Sequence, residues 1–200
     1  MRKPNSPVGN RLVCDACRRS YPVAKKSVYL TRWTGLLNSI KTPLVDLERG
    51  VVVVTVCWEC VENMVNPPST ISCLNAPLLE IEKTSILQYM RRSSTGNRLH
   101  PSAKFPPFCI GCQMLIAENT SCVYSRLTTE QDVDPPLTSE RSDEQDSDLI
   151  FNAEFVDGVT YLRSMSGITI KMENPIDVGI VCTSCAIKSW GKDYTTLSLK

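Results

Sequence analysis

The sequence predicts an α+β fold of two small tandem modules, each a cysteine knuckle with a hairpin and a short antiparallel sheet, joined by a linking helix. Three observations predict this fold. Eight of the ten cysteines form four C-x-x-C doublets, the surroundings of the first doublet recur later in the 200 residues, and β-branched runs lead into the second and fourth doublets. Hydrophobic residues make up 42% of the chain, which is enough for packed cores and excludes wholesale disorder.

The doublets predict two structural zinc sites. Two residues between cysteines let both thiolates turn toward one ion, and two doublets complete a closed tetrahedral site. We expect two Zn²⁺ ions, the first held by the first two doublets and the second by the last two. Pairing of the first doublet with the third, redox chemistry and iron–sulfur ligation are the alternatives. The expected ligands are Cys14, Cys17, Cys57, Cys60, Cys109, Cys112, Cys182 and Cys185.

The other residues able to bind a metal are interpreted as structural. Cys73 and Cys122 lack a doublet partner, so each is expected to be a small buried apolar side chain. His100, the one histidine, lies in the segment HPSAKFPP and is interpreted as a solvated linker residue. We therefore expect both zinc sites to be complete without these three side chains.

The cysteine usage also bears on the compartment. The N-terminal residues carry charge but no apolar stretch behind them, so no secretory signal is expected. The longest apolar run, Val51–Val56, is far shorter than the ~20 residues that span a bilayer. We therefore expect the nucleus or the cytoplasm, where thiols stay reduced, and no membrane partner.

A repeat at an offset of 95 residues indicates a tandem duplication. Placing Cys14 on Cys109 brings Val28-Tyr29 onto Val123-Tyr124. The second copy has about 30 more residues between its inner cysteines, which we assign to an acidic insert that is expected to be disordered. The predicted organisation is a first zinc module with its following helix at 1–92, a linker at 93–107, and a second zinc module at 108–200 with the insert near 128–148.

Local patterns predict the elements of the first module. β-Branched and aromatic residues favour strands, whereas apolar residues at helical spacing favour helices. A proline just after a capping residue suits the first turn of a helix. The predicted elements are a hairpin strand over Tyr21–Leu30, a short helix through Trp33, Leu36, Leu37 and Ile40, a strand over Val51–Val56 and the linking helix over Asn75–Arg92.

The second module carries a hairpin signal at Asp157-Gly158 and further strands at Gly167–Met172 and Asp177–Val181. Its two doublets, the sheet between them and the Trp190-Gly191 pair that follows resemble the β-tent folds of the Yippee and helicase regulatory-domain type, over about 80 residues. More broadly, the tandem pattern resembles the four-cysteine zinc-finger superfamily of treble-clef or β-tent type. The resemblance implies a zinc-pinned sheet that is used for binding.

No catalytic site is expected. A zinc hydrolase needs an open coordination position and usually histidine ligands, but the one histidine lies outside every doublet. The zinc deaminase signature, the phosphate-binding glycine loops and the nucleophile elbow are absent from the sequence. The chain is therefore predicted to be non-catalytic and to have no small-molecule substrate.

The charges are unevenly distributed, although the net charge is only +1. Residues 1–50 contain ten Lys or Arg and three acids, whereas residues 101–150 contain three Lys or Arg and nine acids. A basic segment interleaved with aromatic residues predicts a nucleic-acid partner, because cations hold phosphates and aromatic rings stack on bases. The residues expected to bind nucleic acid are Arg18, Arg19, Lys25, Lys26 and Arg32.

Two functions are consistent with these features. The first is a non-catalytic zinc protein that associates with nucleic acid through residues 1–50, as a regulator of transcription or RNA. The second is a zinc-stabilised protein–protein adaptor without nucleic-acid binding, which the small net charge and the acidic insert favour. Protein partners are expected in both cases, and salt-dependent retention on a generic nucleic acid distinguishes the two.

Overall fold

The computed structural model describes residues 11–23, 25–38, 45–63, 77–94, 107–130, 151–156, 159–164 and 169–192. Within these ranges the strands are β1 (Arg11–Val13), β2 (Ser20–Pro22), β3 (Ser27–Leu37), β4 (Val45–Cys57), β5 (Thr120–Glu130), β6 (Phe151–Val156), β7 (Val159–Ser164) and β8 (Thr169–Cys182). The helices are α1 (Trp58–Glu62), α2 (Glu80–Ser94) and α3 (Thr183–Trp190).

The predicted α+β fold with a linking helix is wrong, because the dominant structure is a closed six-stranded barrel in the order β3-β4-β6-β7-β8-β5. Four of its strands are 11 to 14 residues long, much longer than the short sheets expected for separate modules. Strand β3 pairs antiparallel with both β4 and β5, so strands from both halves of the chain form one sheet. The small β1–β2 hairpin lies outside the barrel.

The predicted short helix is also wrong, because Trp33, Leu36 and Leu37 lie in strand β3, while Ile40 falls outside the described residues. Strand β3 has a neighbour on each edge, and all of its first seven residues are buried. A strand buried on both faces has a nearly continuous apolar run instead of strict alternation. Such a run contains apolar pairs at helical spacing by chance.

The internal repeat is visible as an approximate twofold relation in the barrel. Thr31 and Arg126, which are 95 residues apart, are direct partners across the β3–β5 pair, and the Thr31 hydroxyl donates to the Arg126 carbonyl. Residues related by the repeat therefore meet at the centre of this pair. The same register recurs at the barrel ends, where Ser27 pairs with Cys57 and its equivalent Cys122 pairs with Cys182.

The β6–β7 hairpin closes the barrel between β4 and β8. It is inserted between β5 and β8 of the second module, so the extra length of that module includes ordered strands. The hairpin prediction is confirmed, because Val156 and Val159 are partners on either side of the predicted turn, which itself lies outside the described residues. The strand pair that closes the barrel, β4 with β6, is short and has two partner pairs, one of which is Gly50 with Ala153.

Gly50 is required by this closure. A Cβ atom there would lie 2.6 Å from Trp33 Cε3 and 2.7 Å from the Ala153 Cβ. The indole of Trp33, which is buried, therefore packs directly over the Gly50 backbone of its partner strand. Glycine in a strand interior commonly marks such a close approach.

The remaining element predictions have mixed outcomes. The strand over Val51–Val56 is confirmed as part of β4, and the helix over Asn75–Arg92 is confirmed from Glu80 onward. Most of the linker and the acidic insert beyond residue 130 lie outside the described residues, whereas 128–130 belong to β5. No helix in the described ranges is long and apolar enough to cross a bilayer.

Candidate metal centres and nucleic-acid interface

The first candidate metal centre lies at one end of the β3–β4 hairpin. The β1–β2 knuckle supplies Cys14 and Cys17, strand β4 ends at Cys57, and helix α1 supplies Cys60. The four Sγ atoms lie within 4.8 Å of one another. The Sγ atoms of Cys14 and Cys60 are 3.8 Å apart, as are those of Cys17 and Cys57.

These distances fit a tetrahedral metal site. A metal–sulfur bond of about 2.3 Å gives a tetrahedron edge of about 3.8 Å, whereas a disulfide requires about 2.05 Å. Each 3.8 Å pair joins one cysteine of each doublet, so the two measured edges are opposite edges of one tetrahedron. This group of four thiols could therefore hold one metal ion.

The second candidate centre has the same construction in the second module. Cys109 and Cys112 form the knuckle, Cys182 ends β8, and Cys185 lies in α3. Its four Sγ atoms also lie within 4.8 Å of one another, with 3.9 Å between those of Cys112 and Cys182. The structure thus brings the first doublet to the second and the third to the fourth, which is the sequential arrangement.

The two knuckles have the same backbone geometry. Arg18 and Gln113, which are equivalent in the repeat, both have φ of 62°, in the left-handed region. The amide of Cys57 donates to Cys14 Sγ at 3.3 Å, and the amide of Cys182 donates to Cys109 Sγ at the same distance. Amide donors stabilise a thiolate, so each knuckle is preorganised for a metal-bound sulfur.

Burial shifts the pKa values of several thiols in the two candidate centres. Burial raises the pKa of Cys57 to about 11, and burial together with the neighbouring thiols raises the pKa of Cys185 to about 12. At Cys109 burial alone would raise the pKa. Hydrogen bonds from the amides of Cys182, Cys112 and Gly111 outweigh this effect and lower the pKa to about 7. Metal binding must therefore displace protons from the thiols whose pKa is raised, such as Cys57 and Cys185.

Cys122 is the one described cysteine without a doublet partner, and it lies directly opposite the candidate ligand Cys182 in the β5–β8 pair. Cys122 is buried in β5 and belongs to neither group of four, and burial raises its pKa to about 11. Cys73 and His100 fall outside the described residues.

Four of the five predicted nucleic-acid-binding residues surround the first metal centre. Arg18, Arg19 and Lys25 are exposed, and Lys26 is half-buried with its ammonium 4.2 Å from the centroid of the Trp58 ring. Several carry weak surface ion pairs, such as Lys25 with Glu59 at 3.5 Å. Exposed pairs of this kind contribute little to stability, so the cations can exchange partners.

Arg32, the fifth predicted residue, is held in the interior. Its side chain is 2% exposed, and its Nε and Nη2 atoms donate to the fully buried Glu82 carboxylate at 3.0 and 2.6 Å. The guanidinium also stacks on Trp190, 3.7 Å from the ring centroid. A side chain held in this way is not available to a phosphate, so Arg32 is left out of the interface below.

Three of the remaining cations line a cleft of about 450 Å³ beside the first metal centre. We call this the basic cleft; its principal lining residues are Arg19, Tyr21, Lys25, Lys26, Trp58 and Glu59. Sequence reasoning missed Trp58 and Glu59, which lie between the two cysteines of the second doublet. Their position between two candidate metal ligands, which places them close to the metal centre, is the sequence signal that could have identified them.

The equivalent surface of the second module carries exposed apolar side chains where the first module has charged or polar ones. The repeat places Met114 at the position of Arg19 and Ile187 at that of Glu62, and both are exposed. The exposed Phe108 and Leu115 form a bridge that matches the β1–β2 pairing of the first module. Two equivalent faces of one fold therefore differ in chemistry, since the first is basic and the second combines apolar with uncharged polar side chains.

The chain matches no protein-family model, no curated protein and no solved structure. Of the suggested zinc-finger resemblance, the structure supports the coarser part, which is two groups of four cysteines at metal-binding distance. Function must accordingly be inferred from the chemistry of the sites.

Proposed function

We propose that this protein is a non-catalytic zinc-binding protein that associates with nucleic acid through the basic cleft, as a regulator of transcription or RNA in the nucleus or cytoplasm. The opposite 3.8 Å sulfur edges support one tetrahedral ion in the first site, and four thiolates are a common ligand set of structural zinc. Four protein ligands leave no open position for water or substrate, so the ions stabilise the knuckles.

Metal analysis tests the first half of the proposal. Protein purified without oxygen is expected to contain two zinc ions per chain, and removal of both by a chelator is expected to unfold the barrel ends. Structural zinc contributes roughly 10–16 kcal/mol of apparent binding free energy, most of which is folding free energy. A metal content near zero in folded protein would contradict the assignment.

The contrast between the two modules supports nucleic acid as the partner. Arg19, Lys25 and Lys26 correspond in the repeat to Met114, Thr120 and Ser121, so the cations are not a requirement of the fold. Clustered cations beside aromatic rings are the usual surface for a polyanion with stackable bases. The acids in the same cleft reduce its net charge but do not cancel it.

The salt dependence of binding tests this half. A labelled generic oligonucleotide is titrated at several salt concentrations with the wild type and with Arg18, Arg19, Lys25 and Lys26 all changed to Ala. Each phosphate contact contributes about 0.7 to 0.9 to the slope of log K against log salt, so the variant is expected to flatten the slope by about 3. The matched control changes Arg163, Lys171, Lys188 and Lys192, four exposed cations elsewhere, to Ala.

The control variant is expected to keep the wild-type slope, and both variants to keep two zinc ions. Equal effects of the two variants would show non-specific charge attraction. A wild type that binds neither DNA nor RNA at low salt would contradict the nucleic-acid proposal.

A protein–protein adaptor is the second candidate, and one observation favours it. The second module exposes Met114 at 68% and Leu115 at 52% next to its metal centre, at positions where the first module has polar side chains. Exposed apolar clusters of this kind often mark protein contacts. If the adaptor is the only function, the oligonucleotide titration gives no measurable affinity.

A further inference from the structure

Trp58 carries a half-buried aromatic ring that lines the basic cleft. It is the first residue of α1, between two metal-site cysteines, and its amide donates to the Lys26 carbonyl at 3.1 Å. Trp33 and Trp190 are buried, whereas Trp58 is only half-buried and lines the basic cleft. The equivalent residue of the second module is Thr183, so the fold itself does not require an aromatic ring there.

The Trp58 ring is in contact with the Lys26 ammonium, which a ligand could displace. The Lys26 ammonium lies 4.2 Å from the ring centroid, and such a cation–π contact at a solvated site contributes only about 0.5–1 kcal/mol. Arg19 and Lys25 are held by Glu59 at 3.8 and 3.5 Å, in pairs whose side chains are all at least 60% exposed. Moving these three cations to phosphates therefore has a small cost.

The geometry points to single-stranded nucleic acid as the ligand of the basic cleft, with one unpaired base stacked on Trp58 in place of the Lys26 ammonium. This inference rests on the proposed function and adds the class of nucleic acid. A cleft of about 450 Å³ has room for a base, since small-molecule sites range from about 300 to 1,000 Å³. Bases inside a duplex are already stacked and paired, so a duplex meets the cations alone.

The experiment compares three ligands of one length with the zinc-loaded full chain. They are a mixed-sequence single strand, the same sequence as a duplex, and a single strand that carries abasic sites throughout. Binding is followed by anisotropy of the labelled ligand and by tryptophan fluorescence. Trp58 is the one half-buried tryptophan, so its emission is expected to respond to a ligand in the cleft. The variants are Trp58→Leu, Trp58→Phe and, as the matched control at the equivalent position, Thr183→Ala.

The normal single strand is expected to quench tryptophan fluorescence and to bind about tenfold or more tightly than the abasic strand, the usual size of one stacked base. Trp58→Leu should remove this difference, Trp58→Phe should retain most of it, and Thr183→Ala should change neither affinity nor zinc content.

Two results would overturn the inference while leaving the proposed function intact. One is salt-dependent binding of all three ligands with equal affinity, and the other is a Trp58→Leu variant that still prefers the normal strand. If no ligand binds at low salt, the proposed function fails as well. The comparison of normal and abasic strands uses the wild type, so it decides the question even if a Trp58 variant folds poorly.

Discussion

The buried ion pair between Arg32 and Glu82 gives a prediction that separates a structural role from a binding role. Glu82 accepts from Arg32 at two nitrogens, from the Ser125 hydroxyl at 2.8 Å and from the Leu79 amide at 2.9 Å. Arg32 and Ser125 are partners across the β3–β5 pair. Glu82 therefore fixes helix α2 to the pair of strands that joins the two modules.

The expected magnitude follows from this burial. The side chains of Arg32 and Glu82 are 2% and 0% exposed, so solvent screening does not weaken the pair. Changing Arg32 to Met leaves a buried carboxylate without its cation, which typically costs about 3–5 kcal/mol. Changing Glu82 to Leu as well removes both charges, and apolar replacement of a buried pair is often neutral. The double variant is thus expected to be more stable than Arg32→Met alone.

An unpaired donor contributes to the higher stability expected of the double variant. Arg32 Nη1 is buried and has no hydrogen-bond partner in the described part of the chain. Some of the desolvation cost of the guanidinium is therefore not recovered in the native state. Removing both charges eliminates that cost, although it also leaves the Ser125 hydroxyl and the Leu79 amide without their acceptor.

Urea unfolding of the zinc-loaded protein measures these effects. With an m value of about 2 kcal/mol/M, Arg32→Met is expected to lower the midpoint by about 2 M. The summed effects of Arg32→Met and Glu82→Leu as single variants should exceed the effect of the double variant by about 3 kcal/mol or more. In Arg32→Met that is still folded, the slope of log K against log salt for oligonucleotide binding should equal that of the wild type. An Arg32→Met variant of wild-type stability with a slope flattened by about 1 would refute the structural assignment.

Four further predictions concern the metal centres and the basic cleft. Cys60→Ser should lose one zinc ion in a metal assay, whereas Cys122→Ser should keep both; loss in the second variant would mean that the ligands are misassigned. Because the pKa values of Cys57 and Cys185 are raised, zinc competes with protons for these thiols, and a chelator should remove it more readily as the pH falls. Glu59→Gln should tighten oligonucleotide binding, because Arg19 and Lys25 lose their competing carboxylate. Deleting 131–148 should leave binding unchanged or stronger, because the acids there compete for the same cations, and weaker binding would contradict this.

The two groups of four cysteines could be predicted from sequence because their signal is local. Two residues between cysteines determine the knuckle, and the pattern of residues alone relates Cys14 to Cys109 through the repeat. The barrel could not be predicted, because its formation depends on which strand lies next to β3. Nothing local in SVYLTRW shows that β5, almost a hundred residues away, pairs with it.

The buried position of Arg32 could not be predicted for the same reason. Composition places a cation among basic and aromatic neighbours, which is also the pattern of an exposed nucleic-acid surface. Only the packing of α2 against β3 shows that this cation has a buried partner at Glu82, 50 residues away. Trp58 escapes prediction for the opposite reason, since a residue inside a metal doublet is interpreted as part of the knuckle alone.

The comparison of the two modules indicates which residues serve the fold and which serve binding. The amide-to-sulfur bond at Cys57 and the left-handed φ at Arg18 are reproduced at the equivalent residues of the second module. Next to them, Arg19, Lys25 and Trp58 are replaced by residues of different chemistry. If the metal cage needed those side chains, the second module would retain their character or its sulfur distances would differ. The sulfur distances agree within 0.1 Å, at 3.8 and 3.9 Å, so the side chains of the basic cleft are free to be specialised for a partner.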